Sequence, residues 1–323
     1  MNTPFYRNAL AASRAFGIIK NDIAARKLGH AYLVISPDGE AIKKLFMLVS
    51  EAVYCRYGGC GECADCLKVL HDNNPDLKHV NLIGDNITKD HVEAVLKDAQ
   101  LKPFYDAPKL YMIYRSDLMN LTAQNKLLKT LEEPPPAVTI FLGAAQEAAL
   151  LPTIKSRARK IYLDFFEKDV IYRAVLNYTE DEKKAALAAA CSDGYLTRAY
   201  EIASSKDFLE RYEEAIALLM SLDTSAKVLD AVNLDIASKA RLPELLNILS
   251  PIFRDVMAVS AGAKPSVLSE LSDEIVKLGA HFSPSAAAKA IMAVNKAREM
   301  LYFNVGAAAA AEKLFFDILE LRT

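Results

Sequence analysis

Short apolar runs and helix-period stretches alternate along the first half of this 323-residue chain, and then the alternation stops. His30–Ile35 is an apolar run too short for a helix, and Ser36-Pro37-Asp38-Gly39 closes it with a turn. Leu77–Ile83, Lys109–Tyr114 and Val138–Leu142 read the same way. Between them, Ala41–Ala52, Thr88–Leu101 and Leu121–Leu131 repeat apolar residues at helical spacing, as Arg14–Lys27 does ahead of the first run. Strands covered on both faces have no solvent side, so they lose the alternation of half-exposed strands. The pattern predicts a parallel sheet inside a three-layer α/β domain. After Ile161-Tyr162-Leu163, from Glu167 onward, only helical periodicity remains. Turn signals fall at Ser192-Asp193-Gly194, Ser204-Ser205, Pro243, Pro251, Pro265 and Pro284. The expected fold class is α/β followed by all-α. An α/β domain would span residues 1–165, a small helical domain 166–207 and a larger helical domain 208–323.

Bulk properties narrow the function. Lys plus Arg number 39 against 41 Asp plus Glu, so the chain does not coat nucleic acid by net charge, although a local basic patch is left open. Trp is absent, which argues against aromatic stacking platforms for bases. No apolar run reaches membrane-spanning length; Val305–Ala311 is a short alanine-rich stretch that reads as helix core. The N-terminus carries no secretory pattern, and cytoplasmic residence is the expectation.

Four of the five cysteines crowd into Cys55-x4-Cys60-x2-Cys63-x2-Cys66, a segment that also holds Gly58, Gly59 and Gly61. In a reducing compartment such a cluster points to metal rather than disulfides. Four thiolates on a turn-rich segment suit a closed, structural zinc site. An iron–sulfur cluster is the competing reading. His71 is near enough to be a substitute ligand, but the histidines otherwise form no ligand-spaced motif. Cys191 stands alone and reads as a small core residue.

The turn after the first strand lies where a phosphate-binding loop would sit. Such a loop needs glycines for close backbone approach, a Lys for the β- and γ-phosphates and a hydroxyl for magnesium. Here only Gly39 remains, Ile42 stands in the Lys position and Lys43 in the hydroxyl position. Asp38 and Glu40 place carboxylates where polyphosphate charge would lie. An ordinary turn and a decayed loop both fit these residues. Lys109–Ile113 is the kind of strand that ends in an acidic pair for magnesium and water, yet Tyr114 and Arg115 follow it. Thr139–Leu142 ends in Gly143-Ala144-Ala145, with no polar γ-phosphate sensor. Three losses at one inferred site favour a fold that has kept its shape and dropped the reaction.

Several segments together resemble bacterial DNA polymerase III clamp-loader subunits, a family of AAA+ proteins. They are the His30–Leu33 strand, the cysteine cluster, Asn125–Pro135 (NKLLKTLEEPP) and Leu151–Arg157 (LPTIKSR), in the family's order within residues 8–163. The resemblance implies an AAA+ parallel-sheet domain with an inserted zinc module, a helical lid and a C-terminal helical collar. One subunit type of the family lacks a working phosphate loop and acidic pair while keeping the zinc module and the arginine of its Ser-Arg-Cys motif. By that likeness Ser156 and Arg157 are the motif residues, with Ala158 in place of Cys, and Arg157 would act in trans on ATP bound by a neighbour. Thr197 falls where active subunits carry an arginine sensor, and Arg198 lies beside it. Lys126 stands where the family has a small residue.

The resemblance therefore implies a non-catalytic subunit, without ATP of its own, within the DNA polymerase III holoenzyme, a DNA-directed DNA polymerase and nucleotidyltransferase. Its implied partners are ATPase and delta-type clamp-loader subunits in a hetero-oligomer, and through that assembly the sliding clamp and primed DNA, with no membrane. The residues leave two alternatives open, an active AAA+ ATPase with divergent motifs and a zinc-containing nucleic-acid-binding protein. Read without the resemblance, Arg157 is a surface arginine in a basic cluster with Lys155, Arg159 and Lys160. Glu132 and Glu133 end a helix with the wrong charge for its dipole, which implies simple solvation or cations on a neighbouring subunit.

Overall fold

The computed structural model of the protein describes residues 4–81, 85–265 and 269–322. It divides into two compact units, Met1–Phe166 with Tyr195–Thr197, and Glu167–Gly194 with Arg198–Thr323.

The first unit is built on β1 (Ala31–Ile35), β2 (Leu77–Val80), β3 (Lys109–Ile113), β4 (Val138–Ala144) and β5 (Arg159–Tyr162). All five strands pair in parallel, in the order β2-β3-β4-β1-β5. Every residue of β1, β3 and β4 is buried, as their mainly apolar character requires, with Lys109 and Thr139 as buried polar members. The helices of this unit are α1 (Pro4–Ala11), α2 (Arg14–Ala24), α3 (Gly39–Tyr54), α4 (Ala64–Leu70), α5 (Lys89–Ala99), α6 (Leu121–Glu132) and α7 (Pro152–Arg157).

Ala31 lies opposite Ile140 and Leu33 opposite Leu142, so these four residues share one face of the sheet. That face meets Val92 and Val95 of α5 and Leu127 and Leu131 of α6 in a single core. On the other face Tyr32 stacks on Phe141 at 4.8 Å, and Phe46 of α3 packs against Phe141 and Tyr114. Burying aliphatic and aromatic side chains of this size stabilises the fold by about 1.5–3 kcal/mol each. The result is the three-layer α/β domain that the alternating pattern implied, built on a five-stranded parallel sheet.

Boundaries shift where the backbone turns. α2 ends at Ala24 rather than Lys27, because Arg26 adopts φ 53° and cannot continue the helix. β2 ends at Val80, and Asn81 follows with φ 64°; Leu82 and Ile83 of the expected strand lie outside the described residues.

The second unit is helical. Its elements are α8 (Lys168–Thr179), α9 (Glu182–Cys191), α10 (Leu196–Ser204, whose first two residues belong to the first unit), α11 (Phe208–Ser221), α12 (Ser225–Val232), α13 (Leu242–Ser260), α14 (Ser269–Gly279), α15 (Pro284–Tyr302) and α16 (Ala307–Glu320). Pro243 and Pro284 sit in the first turns of α13 and α15, where a missing N–H costs nothing. Pro251 does not mark a turn: α13 runs through it. The carbonyl that it deprives of a donor, Asn247 O, accepts from the Arg198 guanidinium instead. Cys191 is fully buried, which pushes its thiol up to about 12. Among the described residues no helix is long and apolar enough to cross a membrane.

Candidate functional site

The loop between β1 and α3 is where a nucleotide phosphate would meet this sheet. Its helix N-terminus is already occupied by a side chain of the protein. Asp38 caps α3, its carboxylate accepting the Ala41 N–H at 3.0 Å. The same carboxylate accepts the Thr197 N–H at 3.0 Å and the Thr197 hydroxyl at 2.5 Å. An anion at this point is favoured by the positive end of the helix dipole, and here the anion is internal. Ile42, in the Lys position, is buried against β4. A Cβ built on Gly143 would lie 2.7 Å from Ile42 Cγ2. Lys43 turns away to Glu40, 3.1 Å off. Gly39 has open space around its Cα, so its role is not to admit a close neighbour.

The positions of the missing acidic pair are equally self-contained. Tyr114 is buried, its hydroxyl hydrogen-bonded to His79 Nδ1 at 2.7 Å and its ring stacked on the imidazole. Burial pushes the Tyr114 phenol up and His79 down, the latter against an opposing pull from Asp72. Arg115 adopts φ 51° and pairs with Asp117 at 3.0 Å. Asp117 accepts the Ala145 N–H at 3.0 Å, and Ser116 Oγ donates to Gly143 O at 3.0 Å. The three polar losses read in the sequence thus meet at one end of the sheet, where the protein's own side chains satisfy one another.

Arg157 ends α7, a short helix opened by Pro152 and anchored by the buried Ile154. Buried Gln124 of α6 fixes the chain ahead of that helix. Its Oε1 accepts the Leu151 N–H at 2.8 Å, and its Nε2 donates to Met119 O at 3.0 Å and Ala149 O at 3.1 Å. The Arg157 side chain is 35% exposed. Its Nη1 donates to Thr153 O at 3.0 Å and its Nη2 meets Glu132 Oε1 at 2.8 Å. Ser156 Oγ donates to Thr153 O at 3.1 Å. Glu132 therefore has its cation within the same chain, rather than only water or a neighbour. The basic cluster read around Arg157 is also neutralised in part, since Arg159 pairs with Asp22 and Lys160 with Glu147 at 2.8 Å.

The cysteines come together after α3. Cys55, Cys60, Cys63 and Cys66 place their sulfurs within 4.8 Å of one another. Cys55 Sγ lies 3.7 Å from Cys60 Sγ and 3.6 Å from Cys63 Sγ. Sulfurs about 2.3 Å from one zinc stand about 3.8 Å apart at the corners of a tetrahedron, so the donor set fits that ion. The turns depend on glycine: Gly58, Gly59 and Gly61 have φ of 74°, 93° and 85°. Burial pushes the Cys55 thiol up, but backbone N–H donors outweigh it and bring the value to about 6. Burial raises Cys66. Arg7 of α1 braces the module, donating to Gly59 O at 2.7 Å and to the buried Glu51 at 2.5 Å.

Gln124 and Arg7 carry this geometry without standing out in the sequence, where Asp38 shows only as a carboxylate near the phosphate position. Gln124 had a usable signal, a polar residue on the apolar stripe of a helix. Arg7 gave none, since its partners Glu51 and Gly59 are far along the chain. Arg198 is no free sensor: it pairs with Asp193 at 2.7 Å and satisfies Asn247 O.

The parallel sheet with a self-filled phosphate position, the four-cysteine insert and the arginine at the end of α7 make the chain similar to a class of proteins, the subunits of bacterial DNA polymerase III. Residues 11–167 match the family model described as DNA polymerase III, delta subunit. Within that class the chain resembles the delta-prime subunit. It is 25% identical over 316 residues to DNA polymerase III subunit delta' of Bacillus subtilis (strain 168), covering 95% of this chain and 96% of that one. The delta' subunit of Pseudomonas aeruginosa is 33% identical across 40% of this chain and 41% of its own. The tau/gamma subunit of Haemophilus influenzae is 29% identical across 47% of this chain and 23% of its own.

Proposed function

We propose that this chain is a non-catalytic clamp-loader subunit in DNA replication, acting in the cytoplasm within a hetero-oligomer of ATPase and delta-type subunits. Residues 166–207 and 208–323 would serve as its lid and collar. Arg157 supplies a guanidinium in trans to ATP held by a neighbouring ATPase subunit while a sliding clamp is loaded on primed DNA. Charge builds on the phosphoryl oxygens in the transition state, and a positioned guanidinium offers paired N–H donors to them. The observation that carries this reading is the contrast within one domain: the phosphate position is filled by Asp38, Ile42 and Tyr114, whereas Arg157 is partly exposed at the end of α7. With no phosphate to meet in its own domain, this cation is available to one bound by a neighbour. Ser156 supports the turn that presents it. The four cysteines hold one structural zinc ion, which supplies folding energy to the insert and leaves no open position for chemistry.

The test is Arg157→Ala in an assembly reconstituted with its ATPase subunits. Trans-acting arginines contribute about 10³–10⁵-fold, so hydrolysis at the site facing Arg157 should fall by at least about 10³-fold while the chain stays folded. Unchanged turnover at saturating ATP would overturn the reading. Tight MgATP binding by the isolated chain would instead favour an active ATPase.

A further inference from the structure

Glu132 is the last residue of α6, where the helix dipole disfavours a carboxylate. Its compensation is Arg157, whose Nη2 lies 2.8 Å from Glu132 Oε1. A second bond, from Arg157 Nη1 to Thr153 O at 3.0 Å, turns the guanidinium back along its own helix. Both acceptors thus hold the side chain away from the extended conformation that a contact with another chain requires. The pair is partly exposed, at 35% for the Arg157 side chain and 49% for that of Glu132, so water can reach it and release is cheap.

Carboxylate and phosphoryl oxygens are the same kind of partner for a guanidinium, and they compete for the same N–H groups. A γ-phosphate carries more charge than one carboxylate and can displace it. A nucleoside diphosphate lacks that group. We propose that Glu132 is a positioning residue for Arg157, a competing anion that keeps the guanidinium folded back until the γ-phosphate of a nucleoside triphosphate on the neighbouring chain takes its place. This rests on the reading of Arg157 as the trans-acting arginine. It gives the helix-terminal carboxylate a purpose, to link the reach of Arg157 to the state of the nucleotide.

The experiment is an ATP titration of the reconstituted assembly carrying Glu132→Gln, beside Glu133→Gln, Arg157→Ala and the Glu132→Gln/Arg157→Ala double variant. An exposed ion pair of this kind shifts an equilibrium about two- to five-fold, so Glu132→Gln should lower the half-saturating ATP concentration by about that factor. Turnover at saturating ATP should stay unchanged, Glu133→Gln should behave as the unaltered protein, and the shift should vanish when Arg157 is replaced. An unmoved half-saturation point, a shift that survives in the double variant, an equal shift from Glu133→Gln or a loss of saturated turnover would each overturn the proposal. If Arg157→Ala alone leaves turnover intact, the finger reading falls and takes this proposal with it. If Arg157→Ala is damaging and Glu132→Gln is inert, only the role of Glu132 falls.

Discussion

Ile42 and Gly143 fit each other so closely that a methyl group on Gly143 would lie 2.7 Å from Ile42 Cγ2. Ile42 is buried, and Phe46 closes the space on the same side, with a ring atom 3.3 Å from where that methyl group would stand. Gly143→Ala overpacks this contact and should destabilise the protein by about 1–3 kcal/mol. Ile42→Ala leaves a cavity and should cost about 2–5 kcal/mol. Because each change relieves the other, the double variant should be less unstable than the sum, which urea denaturation midpoints can measure. Ile42→Lys, which restores the residue a phosphate loop uses, should unfold the domain at lower urea and bring back no nucleotide binding, since it puts a cation into an apolar contact.

His79 makes stability depend on pH. Its pKa lies below the ordinary 6.5 because burial disfavours the charged ring. The unfolded chain therefore takes up a proton before the folded one does. The stability His79 confers is full above about pH 6.5 and is lost as pH falls below that toward the lower folded value. Melting temperature should decline between about pH 7.5 and about pH 5.5, and His79→Gln should flatten the decline. The Asp98 carboxyl does not interfere. Burial pushes it up, the bonds from Tyr111 and Lys109 outweigh that push, and its contribution is lost only below the ordinary 3.8.

Metal removal should act locally. Purified protein should carry about one zinc per chain and no iron–sulfur absorption. A chelator should lower the melting temperature and open residues 55–66 to proteolysis while the parallel sheet persists. Cys66→Ser, at a fully buried position, should lose the ion as completely as chelation does. Arg7→Ala should reproduce part of the effect with the cysteines intact, at a cost of about 1.5–3 kcal/mol for the charged hydrogen bonds to Glu51 and Gly59.

The elements that set this fold were readable because they are local. β1 is a continuous apolar run and β3 one from Leu110, α6 keeps an apolar stripe through Ala123, Leu127 and Leu131, and the strands came within a few residues of their observed ends. The spacing of the cysteines was legible for the same reason. What stayed hidden is pairing at a distance: Arg7 with Glu51, Glu132 with Arg157, and Asp38 with Thr197. Periodicity reports which face of an element is buried, not which charged residue of another element will stand opposite. Pro251 misled for a related reason. A proline breaks a helix unless something else satisfies the freed carbonyl, and the Arg198 guanidinium that does so comes from a different helix.

Asp38 joins two of these threads, since it was read as a carboxylate placed where polyphosphate charge would lie and is found serving that position itself. Removing it separates its two functions. Asp38→Ala loses the cap of α3, a cost of about 0.5–2 kcal/mol, and also frees Thr197. Thr197→Val leaves the cap in place and removes only the hydroxyl bond, at about 0.5–1.5 kcal/mol. Amide hydrogen exchange distinguishes the two. The Ala41 amide should exchange faster in Asp38→Ala and keep its protection in Thr197→Val, whereas the Thr197 amide should exchange faster in Asp38→Ala. Equal protection of Ala41 in both variants would mean that the carboxylate does not hold the helix end. Neither variant should gain MgATP binding, because Ile42 and Tyr114 still fill the space behind the loop and no Lys has been supplied.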